Sequence, residues 1–241
     1  MAFFSSGRVL TRFIIALTFT GSILNASASA LGTYVPPPNR QEPVDQTISG
    51  GSRRGGCNDN TSHLDLMALV PQQHIGQTVT SQPTLVWYVP DEQSYEVRLN
   101  LAKYAGGGAW TDLIKDRKIA DSQQGYMSYT IPADLSLETG SIYEWQIVLV
   151  CNPDSRSTDK VTSAQIEVVN RPIDLGSIGG ERIQQAQQYA SVGLWYDAMA
   201  LLSGSSLPPG ESAYRSELLT SLAEFENRAV GAQLRLIAEA D

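Results

Sequence analysis

The spacing of hydrophobic residues along the chain changes at about residue 172. Before it, short apolar runs with period-two alternation are punctuated by Pro, Gly and polar residues; in 95–101, alternate apolar side chains share one face. The other runs with β-forming composition lie at 63–70, 84–89, 126–131, 142–150 and 161–169. Runs of this length and spacing predict an antiparallel β-sandwich over residues 57–172.

One local pattern narrows the type of sandwich. Leu137, Gly140 and Tyr143 stand where a tyrosine corner places Leu, Gly and Tyr. In that motif the tyrosine begins a strand, and its hydroxyl bonds back to the backbone of the preceding turn. Trp87 is a candidate core tryptophan on an earlier strand. This part of the chain therefore resembles an immunoglobulin-like or fibronectin type III sandwich.

After Pro172 the period becomes helical. Ile183, Ala186, Ala190 and Leu194 fall on one face, and the segment 193–202 is similar to the centre of a tetratricopeptide repeat. Pro208–Pro209 is predicted to end the second helix, with further helices at 211–224 and 226–238. We expect a small C-terminal helical unit over residues 178–241, giving an α+β protein in two parts. Because one repeat is marginal alone, the unit should pack on the sandwich or on a partner.

The N-terminus has the pattern of a secretory signal. Arg8 and Arg12 precede an apolar run at 13–24, and Ala28-Ser29-Ala30 follows. This predicts a signal peptide over residues 1–30, with an uncleaved anchor as the alternative. No later segment is long and apolar enough to span a bilayer, and the Pro/Gly-rich stretch 31–56 is predicted to be a flexible tether.

The predicted export of the protein determines how its two cysteines are interpreted. Cys57 and Cys151 are the only cysteines, and an oxidising compartment favours a structural disulfide between them. A catalytic redox pair is the alternative, but the Cys-x-x-Cys spacing typical of such pairs is missing.

Composition and charge exclude some classes of function. With 42% hydrophobic residues the chain is not a disordered protein, and a net charge of −8 argues against a nucleic-acid partner. His63 and His74, eleven residues apart without other ligands nearby, are predicted to be surface or edge-strand residues. We predict no catalytic, cofactor-binding or metal-binding residues. The aspartates of 154–159 fit a solvated hairpin loop better than a calcium site.

Several motifs in one order resemble the cyanobacterial domain-of-unknown-function family DUF928, from about Arg53 to Leu222. These are Arg54-Gly55-Gly56-Cys57, Leu69-Val70-Pro71, the segment from Pro83 to Pro90, the segment from Tyr143 to Cys151 with Arg156-Ser157, and the segment from Gly193 to Ala198. The Gly106-Gly107-Gly108 insert departs from the pattern. The resemblance implies an exported protein of a photosynthetic bacterium and carries over no catalytic residue.

The sequence leaves two functional hypotheses. The first is an exported, non-catalytic protein–protein interaction or scaffold module of the cell envelope, periplasmic or at the cell surface, with an unknown envelope protein as partner. Its candidate interaction residues are Trp195 and Tyr196 on the helical unit and Tyr88 on the sandwich. The alternative is a carbohydrate-binding protein associated with envelope polysaccharide, which predicts coplanar exposed aromatic rings. An enzyme is a distant third, since no catalytic constellation is visible.

Overall fold

A computed structural model describes residues 1–3, 33–44, 56–58 and 63–240. The described residues form an α+β protein with eight strands in two sheets, followed by four α-helices at the C-terminal end. Nearly all of the predicted signal peptide lies outside the described residues. None of the helices in the described part is long and apolar enough to cross a membrane.

The two sheets are almost entirely antiparallel. The strands are β1 (Met67–Ala68), β2 (Gly76–Thr78), β3 (Thr84–Val89), β4 (Glu96–Gly106), β5 (Ala109–Asp121), β6 (Gly125–Thr130), β7 (Ile142–Val150) and β8 (Lys160–Val168). The smaller sheet has the order β1-β3-β6 and the larger the order β2-β8-β7-β4-β5, with β2 and β8 as the one parallel pair within the described residues. The predicted runs at 84–89, 95–101, 126–131, 142–150 and 161–169 are thus confirmed as strands, whereas β2 and β5 were missed.

The glycine insert is the turn of a long hairpin. Gly106, Gly107 and Gly108 all have positive φ (89°, 61° and 82°), a conformation that glycine adopts without steric cost. They connect β4 to β5, an edge strand whose side chains are mostly exposed. Because β5 has neither an apolar run nor clear alternation, its sequence carried no strand signal.

The four helices follow the predicted order with one different boundary. They are α1 (Arg182–Ser191), α2 (Trp195–Leu201), α3 (Pro209–Ala223) and α4 (Arg228–Glu239). The prediction that Pro208–Pro209 ends α2 was wrong: α2 ends at Leu201, and the two prolines begin α3, with Pro208 at the N-cap and Pro209 in its first turn. Proline is favoured there because the first helical N–H groups have no partner within the helix.

The helices and the sheets share one core. The indole Nε1 of Trp145 on β7 donates to the hydroxyl of Tyr196 on α2 at 2.8 Å, and that hydroxyl donates to the carbonyl oxygen of Gln165 on β8 at 3.1 Å. The indole Nε1 of Trp195 donates to the carbonyl oxygen of Leu69 at 2.8 Å. Of the two packing arrangements left open by the sequence, the structure shows the helices against the sheets.

A second contact joins α3 and α4 to the smaller sheet. The guanidinium carbon of Arg215 lies 3.5 Å from the centre of the Tyr126 ring, and the Tyr126 hydroxyl donates to the carbonyl oxygen of Ile237. Tyr88 packs edge-on against Tyr126 from the adjacent strand. The smaller sheet is therefore covered on both faces, and this explains why Trp87 and Tyr88 are both buried although neighbours on a strand point in opposite directions.

The predicted bond of the tyrosine corner is present. The backbone N–H of Glu138 donates to the Tyr143 hydroxyl at 2.8 Å, which fixes the turn before β7 to the first residues of that strand.

The N-terminal segment, residues 33–44, lies on the fold instead of extending from it as the tether prediction expected. Tyr34 is buried, and its N–H donates to the Ser221 hydroxyl. At the other end, the side-chain amide of Gln165 makes two hydrogen bonds to the backbone of Val44, of 2.9 and 2.7 Å. The Pro/Gly-rich composition concealed these anchors; residues 45–55 lie outside the described part of the chain.

Candidate functional site

A surface cavity of about 310 Å³ lies where the N-terminal segment passes the β1–β2 loop and the α3–α4 turn. It is lined by Pro36 and residues 40–42 of the segment, Gln73 and His74 of the loop, and Phe225 of the turn. Three parts of the chain that are distant in sequence thus form one concave polar site.

His74 lines the cavity and contacts the buried Tyr34. The Tyr34 hydroxyl and His74 Nε2 are 2.8 Å apart, and the two rings are stacked with a centroid separation of 6.0 Å. Burial, with the charge of Arg40 as the smaller cause, lowers the pKa of His74 from 6.5 to about 4. Burial raises the pKa of Tyr34, so both groups are neutral around pH 7.

Phe225 supplies the one phenyl ring among the described residues that line the cavity. Its side chain is 45% exposed, and its ring makes an edge contact with Tyr34 at 6.2 Å between centroids. The backbone N–H of Phe225 donates to the carbonyl oxygen of Leu222 at the end of α3. The turn therefore fixes the backbone of Phe225, while much of the side chain faces solvent.

Glu226 fixes the loop that carries two of the lining residues. Its Oε1 accepts from the backbone N–H groups of Gln72 at 2.8 Å and Gln73 at 3.4 Å. Burial raises the pKa of Glu226, and its Oε2 is buried without a hydrogen-bond partner among the described residues. Glu226 thus fixes the backbone of the β1–β2 loop beside the cavity.

The N-terminal segment provides the charged lining. Arg40 and Glu42 are both exposed, and neither has an ion pair among the described residues. Between them, the carbonyl oxygen of Gln41 accepts from the N–H of Ile75 at 2.9 Å, which joins this wall to the β1–β2 loop. The Gln41 side-chain amide donates to Glu167 Oε1 at 3.3 Å, so the cavity can offer the cation of Arg40, the carboxylate of Glu42 and the amide of Gln73 to a ligand.

The residues predicted to contact a partner are not at the surface. Trp195, Tyr196 and Tyr88 are all buried, so the prediction of an interaction site formed by them was wrong. Docking of the helices on the sheets places Trp195 and Tyr196 in the common core, and α3 and α4 cover the side of the smaller sheet that carries Tyr88. His74 is likewise buried, contrary to the prediction of a surface position, although it lies two residues before the edge strand β2; His63 is exposed as predicted.

The predicted disulfide is confirmed. Cys57 and Cys151 are bonded and close a loop with a sequence separation of 94 residues. Asp91 holds the same segment, because its carboxylate accepts from the backbone N–H groups of Cys57 at 3.1 Å and Asn58 at 2.9 Å. Elsewhere in the described residues, no group of three or more His, Cys, Asp or Glu side chains is arranged to hold a metal ion.

The low pKa of His74 predicts a measurable loss of stability in acid. A histidine whose folded pKa lies below its unfolded value stabilises the fold above pH 6.5 and loses that contribution as the pH falls through about 4. We therefore expect the melting temperature of the unaltered chain to decrease relative to that of His74→Gln as the pH falls from 6.5 to 4. The comparison isolates the histidine, because burial raises the pKa of Glu144 to about 7 and that of Asp197 to about 6, and protonation of these carboxyls stabilises both proteins over the same range. Equal slopes in the two proteins, or an imidazole that titrates near 6.5 by NMR, would contradict this assignment.

Comparison with known proteins identifies the family. The sequence profile described as Domain of Unknown Function (DUF928) matches residues 48–227, which include the described strands, α1 to α3 and Phe225. Searches of curated proteins and of solved structures found no match. Because the profile covers most of the chain, the protein belongs to the DUF928 family, as the order of its motifs indicated.

Proposed function

We propose that the protein is an exported, non-catalytic interaction module of the cell envelope, and that its recognition site is the cavity between the N-terminal segment, the β1–β2 loop and the α3–α4 turn. The cavity carries this proposal, because it combines an exposed aromatic ring with the polar side chains of Arg40, Glu42 and Gln73 on a hydrogen-bonded backbone framework. Export is supported by the signal-like N-terminus and by the disulfide, which persists in oxidising compartments. The resemblance of the motifs supports an origin in a photosynthetic bacterium.

The environment of His74 supports a role in binding and not in catalysis. A general base works best when its pKa is close to the working pH, and the pKa of His74 is about 4. Its Nε2 is already bonded to the Tyr34 hydroxyl. We therefore assign His74 to the framework of the binding site.

We further propose that the sheets have immunoglobulin-like topology and that α1 and α2 form a tetratricopeptide-like hairpin. The strand order β8-β7-β4-β5, opposite β1-β3-β6, and the Glu138–Tyr143 hydrogen bond support the first assignment. Gly193, with φ of 83° at the α1–α2 turn, supports the second.

Retention of the protein on envelope material tests the proposed function. The folded chain should co-sediment with an envelope fraction from the source cells, and Phe225→Ala should reduce retention about tenfold, as expected for an aromatic anchor of an interface. Leu236→Ala is the matched control, because Leu236 is also an exposed apolar residue but does not line the cavity. No retention of the unaltered chain, or equal losses for the two variants, would refute the proposal.

A further inference from the structure

We propose that the cavity binds one ring of a neutral saccharide, stacked against Phe225 and hydrogen-bonded by the polar lining residues. This inference rests on the proposed function and adds the chemical class of the ligand. The cavity volume of about 310 Å³ is at the lower end of the range of small-molecule sites, about 300–1,000 Å³. It is therefore suited to a single ring.

The charges of the lining favour a neutral ligand. Among the described residues that line the cavity, only Arg40 and Glu42 are charged, and they have opposite signs. His74, between the walls, is neutral because its pKa is about 4. The chain as a whole has a net charge of −8, which repels polyanions. A ligand bound mainly by its own charge would gain little at this site.

The polar groups match the chemistry of adjacent hydroxyls. Each sugar hydroxyl donates one hydrogen bond and accepts others, and neighbouring hydroxyls are spaced to meet the two ends of a planar side-chain group. The Gln73 amide both donates and accepts, the Arg40 guanidinium donates, and the Glu42 carboxylate accepts. The Gln41 amide is held by its hydrogen bond to Glu167 Oε1 at 3.3 Å. These side chains all end in planar polar groups, and little of the remaining cavity surface is apolar.

Phe225 can bind the apolar face of a sugar ring. The axial C–H groups of a pyranose form an apolar surface that packs on an aromatic face, while its hydroxyls point outward to polar neighbours. The Phe225 ring is 45% exposed, and its edge contact with Tyr34 restricts its orientation. Pro36 is the other apolar residue among the described residues that line the cavity. A peptide partner would instead need an apolar groove or an unpaired strand edge, and this lining provides neither.

The walls are held together before any ligand arrives. The Ile75–Gln41 backbone bond of 2.9 Å joins the N-terminal segment to the β1–β2 loop, and the Val35–Ala190 bond of 3.1 Å joins it to α1. Tyr34 packs edge-on against Trp195 in the core at 4.9 Å. A fixed backbone framework avoids the entropy cost of ordering loops on binding.

Titration with free sugars tests the ligand class on the full, disulfide-bonded chain. The probes are glucose, galactose, mannose, N-acetylglucosamine and neutral oligosaccharides released from the envelope fraction, with glucuronate as the charged comparison. We expect at least one neutral probe to give saturation-transfer NMR signals and a measurable dissociation constant. Phe225→Ala should weaken its binding about tenfold or more, whereas Phe225→Trp should retain it and Leu236→Ala should leave it unchanged.

The outcomes separate this inference from the proposed function. If no neutral probe binds, while retention on the envelope depends on Phe225 and is abolished by protease treatment of the envelope, the ligand is a protein; the saccharide inference fails and the proposed function stands. Stronger binding of glucuronate than of every neutral probe also overturns the inference. So does saccharide binding that is equal in Phe225→Ala and the unaltered chain. If the envelope does not retain the chain at all, the proposed function itself fails.

Discussion

Replacing Tyr196 with alanine is expected to lower the free energy of unfolding by about 3–5 kcal/mol, the usual cost of truncating a fully buried aromatic side chain. The loss has two causes, an unfilled volume in the core and the loss of the partner of Trp145 Nε1. Tyr196→Phe retains the ring and removes only the hydroxyl, so it should cost about 1–3 kcal/mol. Denaturant unfolding of the two variants and the unaltered chain measures the cost of losing the whole side chain and the cost of losing the hydroxyl alone.

The same experiment tests whether the helices unfold with the sheets. Because Tyr196 bonds to strands β7 and β8, tryptophan fluorescence and far-ultraviolet circular dichroism should report one coincident transition, shifted equally in Tyr196→Ala. If the helical signal is lost first and the sheet transition does not move, residues 178–241 form an independent unit. That result would contradict the common core described above.

Strands were predictable where the side-chain pattern or the flanking prolines marked them clearly. In β4, alternate residues are buried against the core, and prolines flank β3, so both strands were visible in the sequence. The strand β2, with the sequence Gly-Gln-Thr, is too short and too polar to show a period, and its pairing with β8 places it in the sheet. The strand β5 is stabilised by its long pairing with β4 and not by burial of its own side chains.

The location of Trp195 and Tyr196 could have been inferred from the sequence. The helix α2 has buried side chains at five successive positions, 195–199. Every residue of α2 except Asp197 is apolar, and a helix that is apolar on nearly all sides is buried on nearly all sides, so Trp195 and Tyr196 were not suited to an exposed groove. The similarity to a tetratricopeptide hairpin drew attention to the turn at Gly193 and away from this composition.

The cavity could not be predicted, because no single segment carries its chemistry. Its walls come from residues 36–42, from the β1–β2 loop and from the α3–α4 turn, and none of them contains a recognised motif. The one local signal was Tyr34, a large aromatic residue within a Pro-rich stretch that was interpreted as a tether. Its contacts with His74 and Ser221 depend on the folded arrangement.

Removing the disulfide in the double variant Cys57→Ala/Cys151→Ala is expected to cost about 2–4 kcal/mol. The bond closes a loop spanning 94 positions, so its loss increases the entropy of the unfolded chain. For a chain of this size, each kcal/mol corresponds to a shift of about 2–4 °C in melting temperature. Calorimetry of the double variant and of the unaltered chain under non-reducing conditions measures the difference.

The costs of losing Asp91 and of losing the disulfide should not be additive. Its carboxylate binds the N–H groups of Cys57 and Asn58, so Asp91 and the disulfide hold the same short segment. With the disulfide present, Asp91→Ala should cost about 1–3 kcal/mol, because it leaves those donors unpaired. Without the disulfide the segment can leave the surface and regain water, so the cost of Asp91→Ala should fall by about 1 kcal/mol or more. Asp134→Ala, at an exposed position on the surface, should be additive with the loss of the disulfide. Additive costs for Asp91→Ala as well would mean that the segment stays bound when the disulfide is absent, and that Asp91 alone fixes it to the fold.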